Sequence, residues 1–400
     1  MSIKSLALKA LETGKGILRL IPAWVPRSFC RPGRRLKLHP GDYYALGLDR
    51  GGIDERWLAS TTHADNGPLT PEDEGLSYIA VDEEGKERLL LKDVIELLKE
   101  EIIGGDLWKK YGGWPIFAKF FDNYGPLAFH VHHRQIHAER VKLQPKPEMY
   151  FYPAQLNNYG GEFPFTFFGF NPNVTKEQVR EALMNFNKGD NNILSLSRAY
   201  KLTLDTGWDV PAGVLHAPGS LCTYEPQLAS DISAVYQSVL YHDNRVDSQS
   251  LWLNCPPEEV GNFDYLVELL DWELNVDPDF YENRFMAPKP VKPREEMVSE
   301  GYIDEWICYK SSHAKAKRLT VLPSRTVTIK DNAAYGLICI QGHGKFGSFA
   351  LESPTMIRFG QLTNDELFVT EKAAKEGITV SNYSSCENLV ILRHYAENVL

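Results

Sequence analysis

Cysteine is scarce in this chain. Six thiols are spread over 400 residues, at 30, 222, 255, 308, 339 and 386, and no two stand in Cys-x-x-Cys spacing. That excludes a disulfide scaffold and fits a cytoplasmic chain with reduced thiols. No stretch of about 18 apolar residues occurs, so a membrane-spanning helix is not expected. Residues 1–38 lack the uninterrupted apolar core of a secretory signal, because Lys4, Lys9, Glu12, Lys15 and Arg19 break it. A basic excess is missing as well. The 43 Lys+Arg face 53 Asp+Glu, a net charge of -10, which opposes binding to nucleic-acid phosphates. With 43% hydrophobic residues, the chain has enough apolar surface for a sizeable core, divided over roughly two to three domains at about 150 residues each.

Charge is unevenly placed. Residues 1–38 hold nine basic side chains and one acid, leaving 34 basic against 52 acidic residues in the remainder. Such an arm over residues 1–40 would wrap over the acidic body or over a second subunit, so a homo-oligomer is one expectation. A transit peptide or a phosphate-gripping arm is the alternative.

Breakers at Pro40-Gly41, Gly51-Gly52, Gly67-Pro68 and Glu84-Gly85 mark short strands and turns over 41–90. Val94, Leu97, Leu98 and Ile102 recur at helical spacing within Lys92–Ile103, and Gly104-Gly105 stops that helix. Strand-like text runs from Trp114 to Tyr152. Thr175-x-x-Gln178 is a capping-box signal for a helical insertion over about 172–200. Residues 256–300 read as an acidic helix, Asp264–Trp272, followed by the Pro-rich linker Ala287–Pro293. Residues 301–400 return to strands, with Gly336–Ile340 entering a turn at Gly342-His343-Gly344.

Four of the eleven histidines lie between 130 and 137. On a strand, His130 and His132 share one face while Val131 and His133 take the other. Two imidazoles so placed make either a metal half-site or a hydrogen-bonded strand pair. Lys146, Glu148 and Tyr150 share a face by the same period of two; Pro145 and Pro147 also suit an exposed sheet edge. In Gly207-Trp-Asp-Val-Pro211-Ala-Gly213-Val-Leu-His216, proline and glycine turn the chain so that His216 opens the next strand. The aromatic run Phe163–Phe170 reads as core, with sugar stacking the lesser alternative.

Together these segments resemble the two motifs of the cupin superfamily, through Gly125, His130, His132, Glu148 and Gly161, then Gly207, Pro211, Gly213 and His216. Over about 45–245 the chain is similar to class I mannose-6-phosphate isomerases. The matching text is Glu55-x-Trp57-x-x-Ser60, Asn66-Gly67-Pro68-Leu69, Pro115–Asp122, Lys146-Pro147-Glu148 and Glu225-x-Gln227-x-x-Ser230-Asp231. The resemblance implies a mostly β protein of two cupin-type, jelly-roll β-barrels with a small helical insertion in or beside the first. Residues 41–255 would form the metal-binding unit, 256–300 the helix and linker, and 301–400 a second, metal-free cupin-like unit. It also implies one divalent metal on His130, His132, Glu148 and His216, zinc first, with Mn, Fe, Ni or Co compatible with the donors.

Departures from that family are specific. Its Ser-Ile-Gln-Val-His-Pro becomes Ala128-Phe-His130-Val-His132-His133, so a glutamine ligand is replaced by imidazole and a serine associated with phosphate by Ala128. No arginine follows Ser230-Asp231 where the family has its catalytic one; Arg245 lies further on. The resemblance implies aldose–ketose isomerisation of a sugar or sugar phosphate, with Lys146 and Arg245 as catalytic candidates and Lys119, Tyr150 and Glu225 as substrate-binding candidates. His137 and Glu139 are alternative proton carriers, and Asp209 is a weak candidate. An iron oxygenase and a non-catalytic sugar-binding cupin are the competing readings.

Overall fold

The computed structural model describes residues 2–157 and 163–397. Gly161, assigned to the first motif, lies outside the described residues. The protein is mostly β, with its longer strands in four antiparallel sheets. A seven-stranded sheet runs in the order Phe285–Met286, Gly207–Val210, Glu148–Phe151, Thr223–Leu228, Ile116–Phe121, Gly52–Leu58, Ala23–Arg27. A five-stranded sheet, Ser197–Lys201, Phe165–Phe170, His216–Ala217, His130–Val131, Ala234–Val235, faces it. The last hundred residues supply most of a nine-stranded sheet and all of a four-stranded one running from Thr326–Ile329 to Phe349–Glu352.

Period-two alternation decides what each face of the seven-stranded sheet does. Ile116, Ala118, Phe120, Met149, Phe151 and Tyr224 pack into the core shared with Ile338, Phe368 and Leu392 of the nine-stranded sheet. The intervening residues Lys119, Glu148, Tyr150 and Glu225 therefore point at the five-stranded sheet. There Phe121, Tyr150 and Trp208 meet Phe168. A separate core of Leu319, Leu337 and Ile391 against Val327, Phe346 and Val380 joins the nine- and four-stranded sheets. The order of layers is thus five, seven, nine, four. Helices Lys176–Met184 and Phe263–Leu269 cover the outside of the five-stranded sheet through Val179, Leu183 and Leu266. Among the described residues hydrogen bonding closes neither pair of sheets into a continuous barrel; the expected jelly-roll units are face-to-face sheets with open edges.

The basic segment 1–40 is built into these layers. Ile17–Ile21 lies between Glu366–Val369 and Tyr78–Ala80 in the nine-stranded sheet, and Ala23–Arg27 edges the seven-stranded one. Residues 256–300 are also packed rather than extended, with Leu266, Phe280 and Met297 fully buried. Within that segment, Lys289–Pro290 pairs at the edge of the nine-stranded sheet, where a proline forfeits no ladder bond. The capping box at Thr175 and Gln178 forms as its spacing predicts. The expected helix over Lys92–Ile103 is two, Leu91–Leu98 and Glu100–Ile103, broken where Lys99 takes φ +51°. No helix among the described residues is long and apolar enough to cross a membrane.

Two polar contacts tie the sheets together at depth. Arg56 makes paired bonds of 2.8 Å to Asp365 and one of 3.0 Å to Glu366. The Tyr224 hydroxyl lies 3.0 Å from Nδ1 of His394, whose ring is fully buried. Burial holds that imidazole down to about 3, against 6.5 in the unfolded chain. The unfolded state therefore takes up the proton first. The stability His394 contributes is complete above pH 6.5 and declines as the pH falls toward 3. Replacing His394→Gln should shrink the stability lost between pH 7.5 and pH 5 by about 2 kcal/mol. Urea unfolding at the two pH values measures this, and equal losses in both proteins would refute it.

Candidate metal centre

Three imidazoles meet between the five- and seven-stranded sheets. His130 and His216 are direct cross-strand partners, and His132 follows one residue beyond the strand His130–Val131. Ring centroids are 4.2 Å apart for His130 and His216, and 5.0 Å for His132 to each of the others. One nitrogen from each ring lies within 4.8 Å of the other two. Each Nδ1 is committed: His130 to the Ala128 carbonyl at 2.7 Å, His132 to that of Ile232 at 2.7 Å, His216 to that of Val214 at 2.9 Å. A carbonyl can only accept, so each Nδ1 carries a proton, and in a neutral ring Nε2 is the nitrogen left with the lone pair. Fixing the tautomer through the second nitrogen is how metal-binding histidines are oriented.

Glu148 completes the set from the opposite sheet. Its Oε1 lies 3.0 Å from His216 Nε2 and its Oε2 3.1 Å from His132 Nε2. The Tyr150 hydroxyl donates to Oε1. His216 Nε2 and Glu148 Oε2 are buried without a hydrogen-bond partner, Oε2 having only the ion pair with Lys146 at 3.2 Å. A divalent cation among these nitrogens and the carboxylate would take up both orphaned atoms, so the donor set fits a metal. Burial holds His130 well below its ordinary value, with the neighbouring imidazoles adding to the effect; burial and Lys146 take His132 down to about 3. Both rings are therefore neutral at physiological pH, the form that binds metal. Burial opposes the charge on Glu148, but the Lys146 ammonium outweighs it and keeps the carboxylate ionised.

The backbone around these donors is fixed by glycines. Gly213 has φ +88°, and a Cβ there would stand 2.8 Å from the Arg134 side chain and 3.0 Å from the Asp271 amide. Its own N–H donates to the His132 carbonyl at 2.8 Å, so the second motif is stitched to the first. At Gly207 a Cβ would lie 2.3 Å from the Tyr150 carbonyl, which is why the strand pairing opposite Glu148–Phe151 can close.

Lys146 is not on an exposed edge. It is 4% accessible, with Nζ 3.1 Å from His132 Nε2 and 3.2 Å from Glu148 Oε2. From there a row of alternating charge crosses the sheet. Lys146 is 3.6 Å from Glu225, Glu225 3.4 Å from Lys119, Lys119 3.4 Å from Glu55, Glu55 3.2 Å from Arg27, and Arg27 3.2 Å from Asp231. Burial, and then the neighbouring Glu148, push Glu225 well above the usual carboxylate range, whereas the facing Arg27 and Lys119 overcome burial at Glu55 and hold it at about 2.

A cavity of about 410 Å³ opens onto this row. His130, His132, Lys146, Lys119, Glu55, Arg27 and Asp231 lie in its wall. Tyr150 and Glu225 do not: both are buried behind the row, Tyr150 against Glu148 and Glu225 between the two lysines. Arg245 is not brought there either; it is exposed on the loop that bridges back to Val239. Two arginines lie in the wall, Arg50 and Arg27, and sequence reasoning assigned Arg27 to the basic arm. Its partners Glu55, Asn66 and Asp231 all stand in the quoted motifs, and that clustering was the available signal. His137 packs against Tyr265, Glu139 bonds Gln135, and Asp209 pairs with Arg284, all outside the cavity wall. Phe168 and Phe170 of the aromatic run are core, whereas Phe163 is exposed. A larger opening of about 810 Å³ beside Arg34, Lys37 and His343 contains none of the clustered donors.

No family model and no curated protein matches the chain's sequence. Solved structures do match. The mannose 6-phosphate isomerase from Bacillus subtilis aligns with a TM-score of 0.62 at 14% identity, over 95% of this chain and 99% of that one. A mutant phosphomannose isomerase from Salmonella typhimurium gives 0.62 at 13%, over 96% and 100%. A mannose 6-phosphate isomerase described as holo and zinc-bound gives 0.61 at 14%, over 96% and 100%. The resemblance to class I mannose-6-phosphate isomerases therefore extends to the fold of nearly the whole chain.

Two outcomes follow from this geometry. His132→Ala and His216→Ala should each weaken metal binding by more than the roughly 10–100-fold that loss of a ligand's supporting hydrogen bond costs. Competition against a chromogenic chelator measures it, and full occupancy in either variant would remove that residue from the set. Arg27→Met leaves Asp231 without its cation and Glu55 with Lys119 alone, and should cost about 3–5 kcal/mol in denaturant unfolding; a loss under 1 kcal/mol would contradict the pairing described.

Proposed function

We propose that this protein is a metal-dependent aldose–ketose isomerase. The observation that carries the reading is the convergence of three imidazoles, each held through Nδ1 by a backbone carbonyl, and one carboxylate beside a cavity whose wall holds Lys146. His130, His132, Glu148 and His216 would hold one divalent ion, zinc before Mn, Fe, Ni or Co. The solved neighbours named mannose 6-phosphate isomerases, one of them zinc-bound, support both the chemistry and the metal. In this reading residues 41–255 form the catalytic unit and 301–400 a support without a metal, backing the seven-stranded sheet.

The reaction moves a proton between C1 and C2 of a sugar through a cis-enediol. When bound, the metal supplies a Lewis acid for the two substrate oxygens. The chain's own groups do the rest. Lys146 Nζ stands beside His132 Nε2, where it places positive charge against the developing enediolate. It is also the proton-transfer group of the cavity wall beside the donors: as the free amine it would take the proton from one carbon, become the ammonium that faces the enediolate, and return the proton to the other carbon. Lys119 lies one carboxylate further along and adds charge of the same sign without reaching the donors. Tyr150 and Glu225 act as positioning residues. Tyr150 fixes one oxygen of Glu148, and Glu225 holds both lysine ammonium groups in place. Arg27, clamped by Glu55, Asn66 and Asp231, stiffens the inner wall.

The test is turnover by zinc-loaded protein against a panel of aldoses and their 6-phosphates, followed by NMR detection of the ketose. Chelation should abolish turnover and added zinc should restore it. Oxygen consumption with bound iron would favour an oxygenase, and metal binding without turnover a sugar-binding role. Lys146→Ala should keep its metal and lose about 10²–10⁴-fold in kcat; unchanged kcat would exclude Lys146 from the proton transfer.

A further inference from the structure

The cavity has two unlike ends. The inner end holds His130, His132 and five members of the charged row, with His132 and Lys146 nearly inaccessible. The outer end is walled by the apolar Phe29, Leu69, Leu127, Leu240, Val246 and Leu253, interspersed with the uncharged polar Ser28, Ser233, Ser250 and Asn254. Three of these apolar side chains, Phe29, Leu69 and Leu253, are 43–65% exposed at the mouth.

Charge at the outer end has one sign. Every cation among the described wall residues is already paired: Arg27 with Glu55 and Asp231, Lys119 with Glu55 and Glu225, Lys146 with Glu148 and Glu225, and Arg50 with Glu74 at 2.7 Å. The acids are not all matched. Asp49 and Asp65 line the same cavity, are exposed, and have no ion-pair partner among the described residues. A phosphate dianion entering here would lose water without gaining a free cation, and would meet two carboxylates. Unpaired like charge of this kind selects against one class of ligand as effectively as contacts select for another. An apolar group would instead cover side chains that now face water.

We infer that the substrate is uncharged at the end remote from its carbonyl and carries an apolar substituent there: an ether- or ester-capped sugar rather than a sugar phosphate. The inference rests on the isomerase reading for the inner end, and binding can be measured separately from turnover.

The test uses the zinc-loaded full chain and three non-isomerisable sugar alcohols in calorimetry: mannitol, mannitol 6-phosphate, and mannitol with a butyl ether at O6. The butyl ether should bind at least tenfold more tightly than the phosphate and more tightly than mannitol itself. Leu253→Asp should weaken the butyl ether at least tenfold. Equal or tighter binding of the phosphate, no binding of the ether, or an ether affinity indifferent to Leu253→Asp would each overturn the inference. Preference for the ether without turnover of any aldose would sink the isomerase reading while leaving this selectivity in place.

Discussion

Seven ionisable side chains buried in one continuous row are tolerable only because they alternate in sign. From Glu148 through Lys146, Glu225, Lys119, Glu55 and Arg27 to Asp231, each charge touches opposite charge on both sides, except at the two ends. Isolated burial of any one would be prohibitive, and removal of any inner member strips each of its two neighbours of one opposite charge. The row is also short of positive charge. Four carboxylates face three cations, and Glu225 shows the shortage as a carboxyl pushed upward by burial and by Glu148. The neutral imidazoles of His130 and His132 at the Glu148 end provide lone pairs but no charge, so that end is where a further cation belongs.

Holding such a row requires a rigid sheet, and the layer order supplies it. Ile116, Ala118 and Phe120 anchor one face of a strand in the core beneath while Lys119 points from the other face into the cavity. Glu148 and Tyr150 alternate in the same way with Met149 and Phe151. The nine-stranded sheet is therefore more than an appended unit. Its hydrophobic face and the Arg56 bonds to Asp365 and Glu366 keep the charged strands flat against a fixed support. Functional constellations built on strands so backed are held more closely than those on loops.

Much of this was legible because it is local. His-x-His, Lys-Pro-Glu and Pro-x-Gly-x-x-His each fix their own side-chain direction through strand period or turn, and Glu148 faces His132 and His216 as those directions require. What was not legible depends on distance along the chain. Arg27 finds Glu55 28 residues away and Asp231 204 residues away, and nothing near Arg27 marks it as other than part of a basic segment. Arg245 suited a simple search for a nearby arginine, yet its loop turns outward at the bridge to Val239. The same holds for the fold. Alternating text identified strands, but no local signal indicates that Ile17–Ile21 crosses to pair with Glu366–Val369. Likewise the proline-rich 287–293 reads as a spacer, although its Lys289–Pro290 segment finishes a sheet edge.

The arrangement of charge also dictates the direction in which a ligand can lie. A sugar with its carbonyl end inward places hydroxyl groups beside imidazoles, ammonium groups and carboxylates, where each can exchange a hydrogen bond with water for one with protein. The reverse orientation would press apolar substituent against the ionised row and strip water from it with no replacement. Orientation therefore comes from the contrast between the ends rather than from any single contact. That contrast accommodates His130 and Ala128 in place of the family's glutamine and serine. Imidazole keeps the inner end rich in donors for a metal, and alanine offers no hydroxyl at its own position in the wall.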